Sequence, residues 1–312
     1  MDKIFDIAVI GSGPSGLTAA IYTTRGAAST ILFAGEKWGG QLMLTSLVEN
    51  YPGFVDGIDG PVLMKNMKDQ AEKLGTNIIS GNAEEVDFTG SPFKIKSGET
   101  WYQAKTVIIA TGADTVWLGV PGEANLIGRG ISSCAPCDAP FFKEKKVAVA
   151  GGGDSAMEEA LVLAKFASEV TVIHRRNEFR ASKIMQEKVL NNPKIKVLWN
   201  TEIKEVVGEQ KLEKLLLKNN VDNSMHEFPV DGLFVAIGHS PLTNIFAGKV
   251  DLDEKGYIKK NPESGFDMAT SVKGIFVAGD VHDHHYKQAI TAAAFGCMAA
   301  LDTLRYLEEE TN

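Results

Sequence analysis

One local pattern occurs twice in this chain, and it limits the possible folds more than any other feature. Residues 7–20 read Ile-Ala-Val-Ile-Gly-Ser-Gly-Pro-Ser-Gly-Leu-Thr-Ala-Ala, and residues 147–160 read Val-Ala-Val-Ala-Gly-Gly-Gly-Asp-Ser-Ala-Met-Glu-Glu-Ala. Each is a short β-branched run, a glycine-rich turn and a helix-forming segment, so the hydrophobic period switches from strand to helix at the glycines. A second echo follows each copy. Thr106–Gly112 (Thr-Val-Ile-Ile-Ala-Thr-Gly) resembles Gly232–Gly238 (Gly-Leu-Phe-Val-Ala-Ile-Gly). Strands that alternate with helical stretches predict parallel sheets.

The fold expected from this is α/β, with two Rossmann-like three-layer nucleotide-binding domains. At 312 residues the chain has the length of two ordinary domains. A further strand-like run, Gly274–Ala278, ends in Gly279-Asp280, and an Ala-rich helical segment follows over Lys287–Leu307. This last part has no Gly-x-Gly-x-x-Gly of its own. It is expected to return to the first domain and make it discontinuous: 1–114, then a middle domain over 115–243, then 244–312. The crossings near Asp114–Pro121 and His239–Asn244 hold Gly or Pro and lack a clear period. Two crossings side by side are how a hinge is built. The acidic run Glu308–Glu310 reads as a solvated end.

Composition enters as a set of exclusions. Lys plus Arg total 32 against 40 for Asp plus Glu, a net charge of −8, opposite to the tilt of a nucleic-acid binder. No apolar run reaches the ~18 residues of a membrane span. The first apolar stretch, Ile4–Ile10, is broken by Asp6 and lacks a cleavage site, so no signal peptide is expected. Three cysteines do not make a secreted disulfide framework. A cytoplasmic protein is expected, in which a close cysteine pair is catalytic or metal-binding rather than structural.

The two glycine motifs differ in chemistry. Gly11-x-Gly13-x-x-Gly16 lies between strand and helix, the setting of a dinucleotide site rather than of a bare turn. Gly11 permits the tight turn, Gly13 lets the backbone approach a pyrophosphate, and Gly16 lets helix and strand pack closely. The helix N-terminus supplies N–H groups and partial positive charge. Glu36 is the candidate acidic partner for a ribose, slightly beyond the strand end. The second motif, Gly151-Gly152-Gly153-Asp154-Ser155-Ala156, has Ala third. After the next strand, Val170–Ile173, stands His174-Arg175-Arg176, with Arg180 one turn later. A carboxylate there would bind the 2′-hydroxyl of NADH; an arginine cluster prefers the 2′-phosphate of NADPH. The plainer alternative is a solvated basic face.

Cys134-Ala-Pro-Cys137-Asp138 is the only Cys-x-x-Cys. A structural zinc site normally needs a second pair or His ligands at set spacing. Neither Cys297, His174 nor the His282, His284 and His285 group has such a spacing, so no metal is expected. Two inert core thiols are a further alternative. The favoured reading is a redox dithiol, because spacing of two closes a small disulfide ring. Asp138 adjoins the second thiol and can move a proton when the disulfide opens. Cys297, in a run of Ala and Met, reads as a buried apolar residue.

The order of motifs carries a resemblance. It runs Gly11-x-Gly13-x-x-Gly16, Gly39-Gly40-Gln41-Leu42, Glu49-Asn50-Tyr51-Pro52-Gly53, Ala110-Thr111-Gly112-Ala113 and Cys134-x-x-Cys137-Asp138. It continues with Gly151-Gly152-Gly153-Asp154-Ser155-Ala156, His174-Arg175-Arg176 with Arg180-Ala181, Gly279-Asp280-Val281 and Gln288-Ala289. Over nearly its whole length the chain resembles the low-molecular-weight, bacterial-type thioredoxin reductases. The resemblance implies FAD in the split domain, NADP(H) in the middle domain, thioredoxin or a similar small protein as partner, and a homodimer. It implies FAD contacts at Ser12, Gly13, Pro14, Gly40, Gln41, Leu42, Asn50, Asp280, Gln288 and Ala289, and the candidate FAD set also includes Gly11, Gly16, Glu36, Gly112, Gly279 and Lys287. It implies NADP contacts at Gly151, Gly153, Asp154, Ser155, His174, Arg175, Arg176 and Arg180, and a catalytic set of Cys134, Cys137 and Asp138.

The chain departs from that family in places. Ala139 and Pro140 follow the dithiol where Gly and Phe or Ala are usual, and Pro136 stands between the cysteines where Thr is usual. Proline fixes φ and removes a donor, which bears on the disulfide potential. His282-Asp283-His284-His285-Tyr286 is His-rich; a surface loop is the plainer reading and a metal site the alternative. The expected activity is a relay from NADPH through FAD to the Cys134–Cys137 disulfide and on to thioredoxin. Its rivals are a reductase with another disulfide partner, a flavin oxidoreductase without a working dithiol, and a nucleotide-sensing protein without turnover.

Overall fold

The computed structural model describes residues 3–311. The chain divides into two compact units, one built from residues up to Asp114 and from Ser240 onward, the other from Thr115–His239. The second division falls before the 243/244 point expected from sequence. The reason is local: His239–Pro241 is itself a strand and pairs with Ala113–Thr115 in a two-stranded sheet.

In the first unit the sheet runs Asn77–Ile79, Thr30–Phe33, Ile4–Ile10, Thr100–Ile109, with Ile275–Val277 also on the last of these. Those pairings are parallel. The sheet is not wholly parallel, as the strand–helix alternation led one to expect. Phe93–Ser97 turns through Gly98-Glu99 into Thr100–Ile109 as an antiparallel hairpin, and Glu85–Asp87 pairs antiparallel with it. A two-residue loop with Gly98 at φ +57° is the ordinary way to close such a hairpin.

Both faces of the parallel strands are buried, which is why they read as near-continuous apolar runs. Ile7, Val9, Ile108 and Phe276 pack under helix Pro14–Arg25 and the long last helix Ala289–Thr311, against Leu17, Ala20, Ala299 and Ala300. Ala8, Ile10, Ile31, Phe33, Ile109 and Val277 face the other way, onto Phe88, Phe93, Phe246, Val250 and Ile258. Complete burial of a side chain such as Phe276 or Ile108 stabilises by roughly 1.5–3 kcal/mol.

The second unit has a five-stranded, all-parallel sheet in the order Ile131–Ser132, Gly232–Ala236, Lys146–Gly151, Glu169–Ile173, Ile195–Leu198. Helices Asp154–Leu163 and Lys183–Leu190 cover one face, together with Ala135, Ala139 and Phe142. The other face carries an antiparallel three-stranded sheet, Thr201–Val207, Lys214–Asn219 and Met225–Pro229, whose Ile203, Leu215 and Leu217 meet Ala148, Ile173 and Leu233. Neither antiparallel addition was expected from the motifs.

Register places the loops. In the first unit Phe33, Ile10, Ile109 and Val277 stand in one row at the carboxyl edge. Four segments far apart in sequence, beginning at Ala34, Gly11, Ala110 and Ala278, therefore leave the sheet side by side. In the second unit Leu198, Ile173, Ala150 and Val235 form the equivalent row. Loops beyond the carboxyl ends of parallel strands are where such sheets bind ligands.

Candidate active site

The first glycine turn is shaped by steric necessity. Gly11 has φ +119°, and a Cβ there would lie 2.2 Å from the Ala110 carbonyl oxygen. A Cβ on Gly16 would lie 2.0 Å from the Gly11 carbonyl oxygen, so only glycine lets helix Pro14–Arg25 start this close to the strand. Gly13 is different: a Cβ would meet nothing within 4 Å. Its backbone faces open space, and Gly40 approaches it from the next loop, a Cβ there lying 3.5 Å from the Gly13 Cα.

The other expected residues gather around this turn in distinct ways. The buried Ser12 hydroxyl donates to the Ala34 carbonyl at 2.7 Å and accepts the Gly39 N–H at 3.0 Å. Its side chain is thus committed to holding the glycine turn to the loop over residues 34–39. Glu36 is exposed beyond the strand end, and its N–H donates to Asn82 at 3.1 Å. Gln41 donates to Asp114 at 3.0 Å, and Leu42 packs at the edge of the core. Asn50 donates to Gln288 at 3.3 Å, which brings positions 238 residues apart into contact. Gly112 has φ +73° with no atom within 4 Å of a Cβ.

Gly279-Asp280 ends the strand Ile275–Val277. A Cβ on Gly279 would strike the Ser15 hydroxyl at 2.6 Å, so this turn too is packed against the glycine motif. Asp280 Oδ1 is buried and has no hydrogen-bond partner among the described residues. Burial pushes its carboxyl up to about 7, the nearby Asp283 adds to the rise, and Lys287 opposes it. A buried acceptor without a donor is a high-energy feature.

Asp283 organises the rest of this loop. Its carboxylate accepts the N–H groups of His285, Tyr286 and Lys287 at 2.9, 3.0 and 3.1 Å, and Lys287 takes φ +50° just before the last helix begins at Ala289. Burial would raise the Asp283 carboxyl, but those three amides outweigh it and hold it below the usual range. The histidines separate. His282 lies edge-on to Phe295 at 4.7 Å with its Nε2 buried and unpartnered, and burial, helped by Lys260, brings it down to about 4. His284 faces Tyr257 and His285 faces Tyr286. Among the described residues no three His, Cys, Asp or Glu side chains are arranged to hold a metal ion.

The second glycine turn repeats the logic. A Cβ on Gly151 would lie 2.5 Å from the Ala236 carbonyl oxygen, whereas Gly153, the N-cap of helix Asp154–Leu163, faces open space. The Arg180 N–H donates to the Gly152 carbonyl at 2.8 Å, which docks the arginine segment onto the turn. Arg175, Arg176 and Arg180 are exposed, as is Ser155. Asp154 accepts the N–H and the hydroxyl of Ser182 at 2.9 and 2.8 Å, and these bonds hold its carboxyl below the usual range. His174 does not join the arginines. It is buried against Phe179 and Trp199, with Nε2 2.9 Å from the Glu178 carbonyl, and burial lowers its affinity for a proton. Consecutive strand-end residues point to opposite faces: His174 inward, Arg175 outward.

Cys134 and Cys137 are joined by a disulfide, with 5.3 Å between their Cα atoms. They frame a one-turn helix, Ala135–Asp138, with Cys134 as its extended N-cap. The amides of Cys137 and Asp138 both donate to the Cys134 carbonyl, at 3.2 and 3.1 Å. Two residues not singled out in the sequence complete the setting. Ser132 accepts the Cys134 N–H, and Glu159 accepts the Ala135 N–H at 2.6 Å. Burial raises the Asp138 carboxyl, against a hydrogen bond from Ser132. Pro136 and Pro140 are exposed. Cys297 is only half-buried, not enclosed as its Ala and Met neighbours suggested, and shares a hydrogen bond with Tyr22. The Ser132 position, two before the first cysteine, is visible in the sequence, but Glu159 is brought to the dithiol only by the fold.

Comparison with known proteins agrees with this layout. The family model described as pyridine nucleotide-disulphide oxidoreductase matches residues 5–296. A thioredoxin reductase of Rickettsia prowazekii is 48% identical over 307 residues, covering 97% of this chain and 98% of that protein. One from Streptomyces coelicolor is 48% identical over 309 residues, covering 98% of this chain and 95% of that protein. Among solved structures, a thioredoxin reductase from Giardia duodenalis superimposes with a TM-score of 0.93 at 38% identity, covering 98% of this chain and 100% of that one. With a disulfide and a glycine turn in one unit and a further glycine turn in the other, the chain belongs to the pyridine nucleotide-disulphide oxidoreductase family.

Proposed function

We propose that the chain is an NADPH-dependent flavoprotein disulfide reductase that passes electrons to the Cys134–Cys137 disulfide and from it to thioredoxin. One observation carries this reading. A disulfide lies in the same unit as an arginine-flanked glycine turn, while the other unit sets a glycine turn against a buried, unpartnered Asp280 carboxyl oxygen. The named relatives, all thioredoxin reductases, point the same way.

The residues of the first unit fit FAD. The open backbone at Gly13 and the N–H groups of Ser12, Gly13, Ser15 and Gly16 suit a pyrophosphate at a helix N-terminus. The Asp280 carboxyl suits a hydroxyl donor, which would satisfy its orphan oxygen and favour its ionised form. Glu36 is the proposed ribose partner, and Gly40, Gln41, Leu42, Asn50, Gly112, Lys287, Gln288 and Ala289 line the remainder. In the second unit Gly151, Gly153 and Ser155 are proposed for the NADP(H) pyrophosphate and Arg175, Arg176 and Arg180 for its 2′-phosphate. Asp154 and His174 support that site by tying it to Ser182 and Glu178. When bound, FAD supplies the change from hydride to electron-pair chemistry that links NADPH to sulfur.

The protein's own residues then do the following. The Cys134–Cys137 bond takes up two electrons and two protons and becomes two thiols. Asp138, which burial biases toward its protonated form, holds a proton beside the opening disulfide. One thiol attacks the partner's disulfide to give a mixed disulfide, and the second displaces it, which restores Cys134–Cys137 and releases the partner with two thiols. The net reaction consumes NADPH, a proton and a disulfide and yields NADP⁺ and a dithiol. With thioredoxin near −270 mV, the pair must lie within tens of millivolts of that value to run efficiently.

The proposed setting is the cytoplasm. No helix among the described residues is long and apolar enough to cross a membrane. A homodimer is the proposed assembly, supported by the exposed apolar side chains Tyr22, Ile290, Met298 and Leu301 on the two packed helices of the first unit. The deciding experiment is a steady-state assay with NADPH, NADH and purified thioredoxin, read beside the visible spectrum. A yellow protein, bleached by NADPH far better than by NADH and reoxidised by thioredoxin, is expected. A colourless protein, or one that thioredoxin does not reoxidise, overturns the reading.

A further inference from the structure

We propose that Asn220 is a positioning residue for nucleotide selection: its side-chain amide ties the backbone of Arg175 to the antiparallel sheet and so presents that guanidinium to a 2′-phosphate. The inference rests on the reading of Arg175, Arg176 and Arg180 as the 2′-phosphate site, and it concerns what holds the first of them in place.

His174-Arg175-Arg176 lies just beyond the strand Glu169–Ile173, where a segment ordinarily leaves the ladder and loosens. Here all three carbonyls are taken. The His174 N–H donates to the Leu198 carbonyl, and the His174 carbonyl accepts the Thr201 N–H, both at 2.9 Å. The Arg176 carbonyl accepts the Asn200 N–H at 3.0 Å. Between them, the Arg175 carbonyl accepts Nδ2 of Asn220 at 3.2 Å, from 45 residues away. Arg180 is docked separately, by its N–H on the Gly152 carbonyl at 2.8 Å. Of the three arginines, only Arg175 is thus held through a side chain that a substitution can remove.

Asn220 is itself well placed to act as an anchor. It follows the strand Lys214–Asn219, and its N–H donates to the Asn200 carbonyl at 2.7 Å. Asn200 takes φ +52°, a left-handed conformation that asparagine tolerates, and so meets both Arg176 and Asn220 at the point where the chain passes from the parallel to the antiparallel sheet. Beyond Asn220 the turn is braced from within. Asn219 Oδ1 accepts the Val221 N–H at 2.8 Å, and Asp222 accepts the N–H and hydroxyl of Ser224 at 2.8 and 2.7 Å. The Asn220 amide also donates to the Glu202 carboxylate. Lys204 first, then Asn220 and the positive charge of Arg175, hold that carboxyl below the usual range against burial. Asn220 therefore joins the Arg175 backbone to an anion that attracts the same residue.

The consequence is selective. A long arginine side chain loses freedom when it grips a phosphate, and fixing its backbone beforehand lowers that cost. A nucleotide without a 2′-phosphate gains nothing from this. The antiparallel sheet, which neither glycine turn requires, thereby takes part in choosing the cofactor.

The test measures binding of 2′,5′-ADP and of 5′-AMP to the full-length, flavin-loaded protein by calorimetry. Asn220→Ala is expected to weaken 2′,5′-ADP by about 3- to 10-fold, the worth of one ordinary hydrogen bond, and to leave 5′-AMP in place. The ratio of kcat/KM for NADPH over NADH should fall by the same factor. Asn220→Asp, which has no amide to donate and adds a charge beside Glu202, should lose at least as much. Ser224→Ala loosens the same turn without touching Arg175 and is expected to change neither ligand. Unmoved 2′,5′-ADP binding in Asn220→Ala overturns the proposal, even if Asn220→Asp is impaired, because charge alone would then be acting. Equal losses for both ligands, or an equal loss in Ser224→Ala, reveal a merely structural residue and overturn it too. A wild-type protein that binds the two ligands alike sinks the arginine reading itself, and this proposal with it.

Discussion

Ser132 accepts the backbone N–H of Cys134 at 3.0 Å, from a side chain that is itself buried. The same hydroxyl hydrogen-bonds to Asp138, so one serine fixes both the dithiol turn and its neighbouring acid. Ser132→Ala is expected to destabilise the protein by about 1–2 kcal/mol, because the Cys134 amide loses a buried acceptor. It should also raise the Asp138 carboxyl further, since the serine bond is the influence that holds it down. Activity that needs Asp138 protonated would then persist to higher pH. A pH profile of thioredoxin reduction checks this: an unmoved alkaline limb excludes Asp138 as the proton source.

Asp280 sets up a conflict between binding and stability. Its carboxyl is raised from an ordinary value of 3.8 to about 7 by burial and then by Asp283. The folded protein therefore binds the extra proton, and flavin-free stability falls as pH rises from about 4 through about 7. Asp280→Asn removes that penalty. The variant, stripped of flavin, is expected to melt at the same temperature as the wild type at pH 4 and several degrees higher at pH 8. It is also expected to retain FAD less well. Thermal melts of flavin-free protein at the two pH values, with the absorbance ratio of the purified proteins, read both effects.

His282 works at the acid end. Burial, then Lys260, lowers it from 6.5 to about 4. The unfolded chain takes up a proton there first, so stability is lost as pH falls from about 6.5 through about 4. His282→Met keeps the contact surface toward Phe295 and removes the orphan nitrogen. It should flatten the fall in melting temperature between pH 6.5 and 4 while leaving pH 8 stability within about 1 kcal/mol. A fall as steep as in the wild type would mean that His282 is not the group titrating.

The arginines are tested by discrimination. Each charge-assisted hydrogen bond is worth about 1.5–3 kcal/mol, so losing two reduces a preference by on the order of a hundredfold or more. Arg175→Ala with Arg176→Ala should lower kcat/KM for NADPH by that factor and leave the value for NADH little changed. An unaltered ratio would assign the 2′-phosphate to other residues.

The strand–turn–helix units were readable because they rest on local rules. The distinction between Gly16, which is pressed against the Gly11 carbonyl, and Gly13, which faces open space, follows from the motif spacing alone. What escaped the sequence depends on proximity in three dimensions. Glu159 meets Ala135 across 24 residues, and Asn50 meets Gln288 across 238. Sequence adjacency groups His174 with its arginine neighbours, yet alternation at the strand end turns it into the core. Residues 201–229 carry no glycine signature, so their antiparallel sheet became visible only once Leu215 and Leu217 were seen packed on the parallel one. Asp283 looked like one polar residue in a histidine-rich loop, but its three amide bonds make it the organiser of that loop.

The pairing of Ala113–Thr115 with His239–Pro241 has a consequence for how such a chain can be remodelled. The stretch between them enters and leaves at neighbouring points, so it interrupts the first unit at a single place. It is attached as a cassette. Excision with a short splice need not reroute the surrounding strands, and another cassette with differently spaced thiols could be grafted at the same two ends.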